Sequence, residues 1–163
     1  MQTVFKTIEL LYAKKPIEVD RIGNLEIKLG NNQISNQSVV KSSIKIIIED
    51  EILKLNLDAK FEIIATCGRC LEEKTINESS YKYFKVNLSS ENDYEIILSQ
   101  ENIDILPFLS EIILDKMDEN YICQKNCKGL CATCGINLNS NNCNHLEKNL
   151  KESPFSSLSK LDL

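Results

Sequence analysis

The hydrophobic positions of this chain change period once, and that change organises everything around it. From Leu53 to Ala65 the alternation is unbroken: Leu53, Leu55, Leu57, Ala59, Phe61, Ile63 and Ala65 share one side. Lys54, Asn56, Asp58, Lys60 and Glu62 hold most of the other. Period two over this length predicts a strand with one buried face. The preceding run, residues 39–48, is rich in β-branched residues and sets Ile44, Ile46 and Ile48 on one side. The two runs predict a hairpin turning at Glu49-Asp50-Glu51. Further strands are expected over residues 3–12, closed by Pro16, near Leu25, Ile27 and Leu29 between Gly23 and Gly30, over 81–88 and over 94–98. Residues 31–38 read as a polar loop. Beyond residue 100 the period becomes 3.6, with Ile105, Phe108, Leu109, Ile112, Ile113 and Met117 at helical spacing. Asp104 is placed to cap that helix, and Pro107 is tolerated in its first turn.

After the helix the pattern stops and the chemistry begins. Between Cys123 and His145 lie five of the seven cysteines and the only histidine. Cys131 and Cys134, with two residues between them, can reach one tetrahedral metal from a tight turn, and Gly135 supplies a left-handed backbone residue to close it. Cys123 and Cys127 precede the turn; Cys143 and His145 follow it. These are six candidate ligands for four seats, with Cys131 and Cys134 the surest. A sulfur-rich donor set favours zinc over hard, oxygen-seeking cations. Core cysteines do not gather in a polar, Asn-rich segment, so the alternative of scattered buried thiols fits poorly. A structural zinc would supply most of the folding energy of so small a segment, and loss of Cys131 is expected to unfold the chain beyond about residue 120.

Cys67-Gly68-Arg69-Cys70 is a second pair, delivered by the alternating strand. A C-x-x-C after a strand also opens thioredoxin-type redox sites, but those need a helix next. The following residues, LEEKTINESSYKYF, carry no sustained apolar stripe. A structural knuckle or an inert packed pair is the better reading, with a thiol-redox enzyme or redox-regulated chaperone using Cys67/Cys70 as the alternative. Seven cysteines and one histidine are enough for two tetrahedral sites.

The predicted fold is α+β: an antiparallel β-sheet or partly closed barrel covered by a helix over residues 104–118, with a C-terminal zinc-knuckle segment. The expected organisation is a β-rich unit with its helix over 1–118, a Cys-rich zinc-binding segment over 119–150 and a tail over 151–163. At 163 residues, with 42% hydrophobic and 26% charged positions, the chain has the composition of an ordinary globular protein that buries a real core. It has no apolar run long enough to span a membrane, and its N-terminus lacks a signal-peptide layout. A cytoplasmic location, where thiols stay reduced, follows as the expectation. Net charge is −5, divided as −7 over residues 1–120 and +2 over residues 121–163. Neither part has the excess of a protein that holds nucleic acid through phosphates alone. Lys125 and Lys128 flank the metal turn and are candidate partner-binding residues. There is no H-E-x-x-H, P-loop or G-x-G-x-x-G, and no deaminase H-x-E with P-C-x-x-C, so no enzyme is expected.

Three stretches together resemble one family. They are Cys67-Gly68-Arg69-Cys70-Leu71, the segment from Ile103-Asp104-Ile105-Leu106 through Glu111-Ile112-Ile113-Leu114, and the run from Cys127-Lys128-Gly129-Leu130-Cys131 through Cys134-Gly135-Ile136-Asn137-Leu138-Asn139. In this order the chain is similar to the YceD family of bacterial proteins, named for large ribosomal RNA subunit accumulation, over roughly residues 55–163. Pro154-Phe155, Leu158 and Leu161 in the tail agree as well. The resemblance implies a non-enzymatic ribosome biogenesis factor. Its partner would be the large-subunit ribosomal RNA precursor, a ribosomal protein or both, with no membrane and no small-molecule substrate. A transcription-linked zinc-knuckle adaptor is a third reading. Cysteine-rich members end the motif in C-x-C, where this chain has Cys143-Asn144-His145; histidine still ligates zinc, with one negative charge fewer. The chain ends in Leu161-Asp162-Leu163 rather than in basic residues.

Overall fold

A computed structural model of the chain describes residues 1–34 and 38–145. The tail residues that agree with the family, Pro154, Phe155, Leu158 and Leu161, lie outside the described residues, as does the end of the Cys-rich segment beyond His145. Eight strands and two helices are described, in the order β1 (Val4–Lys6), α1 (Thr7–Tyr12), β2 (Ile17–Asn24), β3 (Ile27–Leu29), β4 (Asn32–Ile34), β5 (Val39–Glu49), β6 (Ile52–Thr66), β7 (Glu73–Asn87), β8 (Asn102–Asp104) and α2 (Leu106–Leu114).

β6 is the axis of the molecule. β7 pairs antiparallel along its whole length, from Ile52↔Asn87 to Thr66↔Glu73. On its other edge β5 covers the first part, from Glu49↔Ile52 to Lys41↔Lys60, and β4 takes over at Ile64 and Ala65. β2 extends the sheet beyond β5, and β3 extends it beyond β4. The seven apolar residues of β6 from Leu53 to Ala65 are all buried, as the alternation predicts. The β5–β6 turn is tighter than expected: Glu49 and Ile52 still pair, leaving Asp50 and Glu51 as a two-residue turn with φ of 52° and 61°. Consecutive positive φ values match the right-handed twist of the strands they join.

The sheet is open. β2, β3 and β7 each pair on one edge only among the described residues, so the partly closed barrel is replaced by an open antiparallel sheet. Its apolar face is covered by α2, whose Phe108, Leu109, Ile112 and Ile113 are buried. Phe108 stacks on Tyr94 (centroids 3.9 Å apart) and meets Phe84 of β7 edge-on at 5.0 Å. Lys82 of β7 donates to Glu111 at 2.6 Å and to Asp115 at 3.1 Å, and Tyr94 Oη donates to Glu111. Burial works against the Glu111 carboxylate, but Lys82 and Tyr94 outweigh it and lower its pKa. The helix is shorter than predicted. Asp104 does not cap it directly, but accepts from the Leu106 N–H at 2.9 Å one residue ahead of the cap position.

Several local expectations are corrected by tertiary context. Residues 3–12 are a three-residue strand followed by α1, because Val4–Lys6 pair with β8 and the Thr7 N–H donates to Glu101. Ile8, Leu11 and Tyr12 are left exposed on α1, so no sheet alternation operates there. Gly23 lies inside β2 instead of interrupting it; a Cβ there would come within 2.7 Å of Met1. The polar stretch 31–38 contains β4, whose Asn32 is 1% exposed. The Asn32 side chain accepts from the Thr66 N–H at 3.1 Å and donates to the Asp118 carbonyl, joining the end of β6 to the exit from α2. β7 begins eight residues before the predicted strand at Tyr81, since backbone pairing with β6 does not require an apolar pattern on a solvated edge. Residues 94–98 form turns around Asn92, whose side-chain Oδ1 accepts from the N–H groups of Tyr94 and Ile96, not a strand.

Candidate metal centres

The six residues that connect β6 to β7 carry Cys67 and Cys70, and they form a knuckle. The Cys67 N–H donates to the Glu72 carbonyl and the Leu71 N–H to the Cys67 carbonyl, both at 2.9 Å. The Arg69 N–H lies 3.4 Å from Cys67 Sγ. Sixty-four residues on in the numbering, the same arrangement recurs at Cys131. There the Cys131 N–H donates to Ile136 at 2.8 Å, the Gly135 N–H to Cys131 at 2.9 Å, and the Thr133 N–H to Cys131 Sγ at 3.4 Å. An isolated β-bridge, Leu130↔Asn137, stands in for the strand stem. In both knuckles the residue after the second cysteine is left-handed, Leu71 at φ 59° and Gly135 at φ 70°. The glycine predicted to close the second turn does so; the first turn closes on a leucine, against its side-chain sterics.

Each knuckle recruits a different pair of further donors. Cys67, Cys70, Cys123 and Cys127 form one group; Cys131, Cys134, Cys143 and His145 form the other. Within each group all donor atoms lie within 4.8 Å of one another. The six candidate ligands of the C-terminal segment are thus divided between two groups, and the pair at Cys67 completes the inner one. Cys67 Sγ lies 3.9 Å from Cys127 Sγ, and Cys70 Sγ lies 3.6 Å from Cys123 Sγ. A tetrahedron with metal–sulfur bonds of about 2.3 Å has sulfur–sulfur edges of about 3.8 Å. All seven cysteines are free thiols, so the proximity is not that of disulfides.

The inner group is built into the fold. Cys67, Cys70 and Cys127 are buried and Cys123 is half-buried. The chain after α2 is guided in by the Gly68 N–H, which donates to the Tyr121 carbonyl at 2.9 Å. Arg69 Nη1 donates to the Cys127 carbonyl at 3.2 Å. Gly129 passes so close that a Cβ on it would lie 3.1 Å from the Arg69 carbonyl oxygen. Burial pushes the Cys67 thiol up, but N–H donors from Cys123, Cys70 and Arg69 overcome it and bring the pKa down to about 6. Cys127 is lowered for a similar reason: the Asn139 amide, 3.3 Å away, and the Gly129 N–H outweigh burial. Burial and the neighbouring Cys127, Cys70 and Cys67 sulfurs push Cys123 up to about 12. In Cys70 the Glu72 N–H favours the thiolate, but burial and the adjacent sulfurs prevail and raise the pKa. Two low and two high thiols in one cluster are a set from which a divalent cation displaces the remaining protons.

The outer group is open to solvent. Cys131 is 8% exposed, Cys143 is half-buried, and Cys134 and His145 are exposed. N–H donors from Cys134 and Thr133 bring Cys131 down to about 6, while the Cys131 sulfur raises Cys143. Lys125, in the Cys123–Cys127 loop, and Lys128, just after it, are both exposed.

A family model described as large ribosomal RNA subunit accumulation protein YceD matches residues 55–162, about two thirds of the chain. This chain belongs to the YceD family. The match begins inside β6 and takes in both knuckles, so family membership and the paired donor groups rest on the same residues. No curated protein and no solved structure matches the chain significantly. Among the described residues, no helix is long and apolar enough to cross a membrane.

Family membership also throws into relief residues to which the sequence reading assigned no role. Asn139, in the N-L-N run after the second knuckle, donates to Cys127 Sγ in the inner group and accepts from the Lys128 N–H at 2.8 Å. Asn137 donates to Glu72 of the first knuckle at 2.7 Å and accepts from the Asn139 N–H at 2.9 Å. These two asparagines couple the knuckles through side-chain amides. The only advance signal was their place in the family motif; nothing in asparagine's polarity marks it as a thiolate donor. The helix that a thioredoxin-type site requires after Cys70 is replaced by β7.

Proposed function

We propose that this family member is a non-enzymatic ribosome biogenesis factor that supports accumulation of large-subunit ribosomal RNA and holds two structural zinc ions. The observation that carries the zinc reading is the pair of complete four-donor sets, Cys₄ inside and Cys₃His outside. A structural zinc site is closed by four protein ligands, whereas a catalytic one keeps a position open for water or substrate. Four thiolates give the inner centre a net charge of about −2, and three thiolates with a neutral histidine give the outer one about −1. Arg69, Lys125 and Lys128 stand near this charge. The zinc-binding unit is then residues 119–145 together with the loop 67–72, resting on the sheet. The two exposed lysines are its contact with a partner, ribosomal RNA precursor or ribosomal protein, in the cytoplasm.

The ribosomal role rests on the family's description. The test has two parts: metal analysis of the purified chain, and large-subunit RNA levels in cells from which the protein has been depleted. Two zinc ions per chain and a selective fall in large-subunit RNA are expected. Metal-free protein with an ordered C-terminal segment defeats the zinc reading, and unchanged RNA defeats the ribosomal one. Lys125→Glu with Lys128→Glu is expected to weaken association with the large-subunit precursor while zinc content stays at two.

A further inference from the structure

We infer that the uncovered face of the sheet binds single-stranded RNA, with Tyr81 and Tyr83 as stacking platforms and lysines of β5, β6 and β7 as phosphate contacts. The inference rests on the ribosomal reading above for the choice of nucleic acid, and it concerns a surface that uses neither knuckle. α2 covers one face of β6 and β7; among the described residues no element covers the other, where Ile47 of the neighbouring β5 is the buried residue. Strand register places the residues of this face in rows. Lys54 lies opposite Lys85, Asn56 opposite Tyr83, Asp58 opposite Tyr81, and Lys60 lies between Lys41 and Ser79. Lys45 is next to Asn56 in the second row.

Two lysine pairs, Lys54↔Lys85 and Lys41↔Lys60, therefore face each other directly across strands in a chain whose net charge is −5. Directly opposed like charges destabilise a sheet, and an anion between them removes the penalty. Lys45 and Lys54 are ion-paired, with Glu18 and Glu49; Lys41, Lys60 and Lys85 have no ion-pair partner among the described residues. Lysines on edge strands are a common guard against aggregation. Lys41 and Lys60 are on β5 and β6, which are interior strands, so that explanation does not reach them. A shallow groove of about 460 Å³ and a neighbouring one of about 310 Å³ both have Lys41 and Lys60 in their walls.

Between the two lysine pairs stand the tyrosines, Tyr81 66% and Tyr83 49% exposed. Tyr81 Oη donates to Asn56 Oδ1 at 3.1 Å, which holds that ring against the sheet. Lys54 to Lys60 spans about 20 Å at the usual rise per strand residue. Aromatic side chains on an open sheet flanked by cations are the arrangement on which unpaired bases stack. Asp20 and Asp58 share the Tyr81 row, and Glu62 lies beyond. Carboxylates there repel the regular phosphates of a duplex but accept hydrogen bonds from the amino groups of splayed bases. That selects a single strand over a helix.

The test uses the full-length, zinc-loaded chain and a fluorescein-labelled ten-nucleotide RNA of mixed sequence, read by anisotropy, with the same sequence as a duplex for comparison. The single strand is expected to bind more tightly than the duplex. Tyr81→Ala with Tyr83→Ala is expected to weaken binding by roughly tenfold or more, and the double Phe variant to retain it, since stacking needs only the ring. Lys41→Gln with Lys60→Gln is expected to reduce the log–log salt slope by about 1.4, the value for two phosphates on a single strand. Zinc content and unfolding midpoint, unchanged in these exposed variants, show that the fold is kept. Unaltered affinity in the tyrosine variant, equal binding of the duplex, or capture of a ribosomal protein rather than RNA by this face overturns the inference. If the labelled RNA does not bind but large-subunit RNA still falls on depletion, the sheet proposal fails and the ribosomal reading stands. If depletion leaves that RNA unchanged, the ribosomal reading fails by itself.

Discussion

The two donor groups are each built on the same kind of knuckle and differ in almost everything around it. The inner group draws Cys67 and Cys70 from a hairpin of the main sheet and Cys123 and Cys127 from the segment after α2, joining residues 60 positions apart. The outer group gathers all four donors from residues 131–145. The inner sulfurs sit beside the apolar core; the outer donors are mostly exposed. Closing a long loop removes more chain entropy than closing a short one, and a buried cluster of thiols is costly unless the charges are compensated. The same four-donor chemistry therefore does two jobs. On the zinc proposal, the inner centre would fasten the C-terminal segment to the sheet, and the outer centre would shape that segment locally.

The sharpest way to break this comparison is to remove one ligand from each group. Cys67→Ser is expected to have the larger effect: zinc falls from two per chain to one, and the unfolding midpoint drops by roughly 10 °C, about 4 kcal/mol. Calorimetry with metal analysis reads both. An unchanged midpoint would mean that the sheet does not depend on the inner centre.

Cys134→Ser is expected to lose the outer zinc while moving the midpoint by less than roughly 3 °C. Limited proteolysis should then cut after Gly129 and leave residues 120–128 protected by the inner group. This revises the expectation that losing a ligand at Cys131 would unfold everything past about residue 120, because Cys123 and Cys127 are anchored to Cys67 and Cys70. In the parent chain a chelator should strip the exposed centre first and the buried one slowly. Equal losses from Cys134→Ser and Cys67→Ser would erase the distinction.

The finest test exchanges the left-handed residue of the two turns. A Cβ on Gly135 meets nothing within 4 Å, so Gly135→Ala probes conformation alone. It is expected to cost about 1 kcal/mol, read as a roughly fivefold loss of affinity at the outer site in zinc competition. Leu71→Gly should act in the opposite direction at the inner knuckle, raising stability by about 0.5 kcal/mol after the entropy of an added glycine is subtracted. A loss at Leu71→Gly would show that the exposed leucine contributes through contacts rather than tolerating strain.

Local rules carried the sheet and its helix well where one face of an element meets the core. Seven alternating apolar residues in β6 and four helically spaced ones in α2 must bury that face, and no rearrangement of neighbours changes which residues those are. They carried it poorly where a partner strand supplies the order. β8 and the first half of β7 have little pattern of their own and exist because β1 and β6 offer them unpaired backbone groups.

The donor groups divide along the same line. Residue type and C-x-x-C spacing by themselves marked Cys131 and Cys134 as a tight turn, because two thiols with two residues between them and a glycine to close the turn are local facts; at Cys67 and Cys70, where a leucine takes the left-handed place, the spacing left a knuckle and an inert pair both open. Which pairs share a centre was decided only by the tertiary structure. Cys123 is eight residues from Cys131 and 53 from Cys70, yet it lies beside Cys70, because α2 packs on the sheet and its exit is tied to β6 through Asn32. That packing carries the chain back to the β6–β7 loop. Across the inner group, donor distance depends on where the core sets down the chain and not on sequence separation.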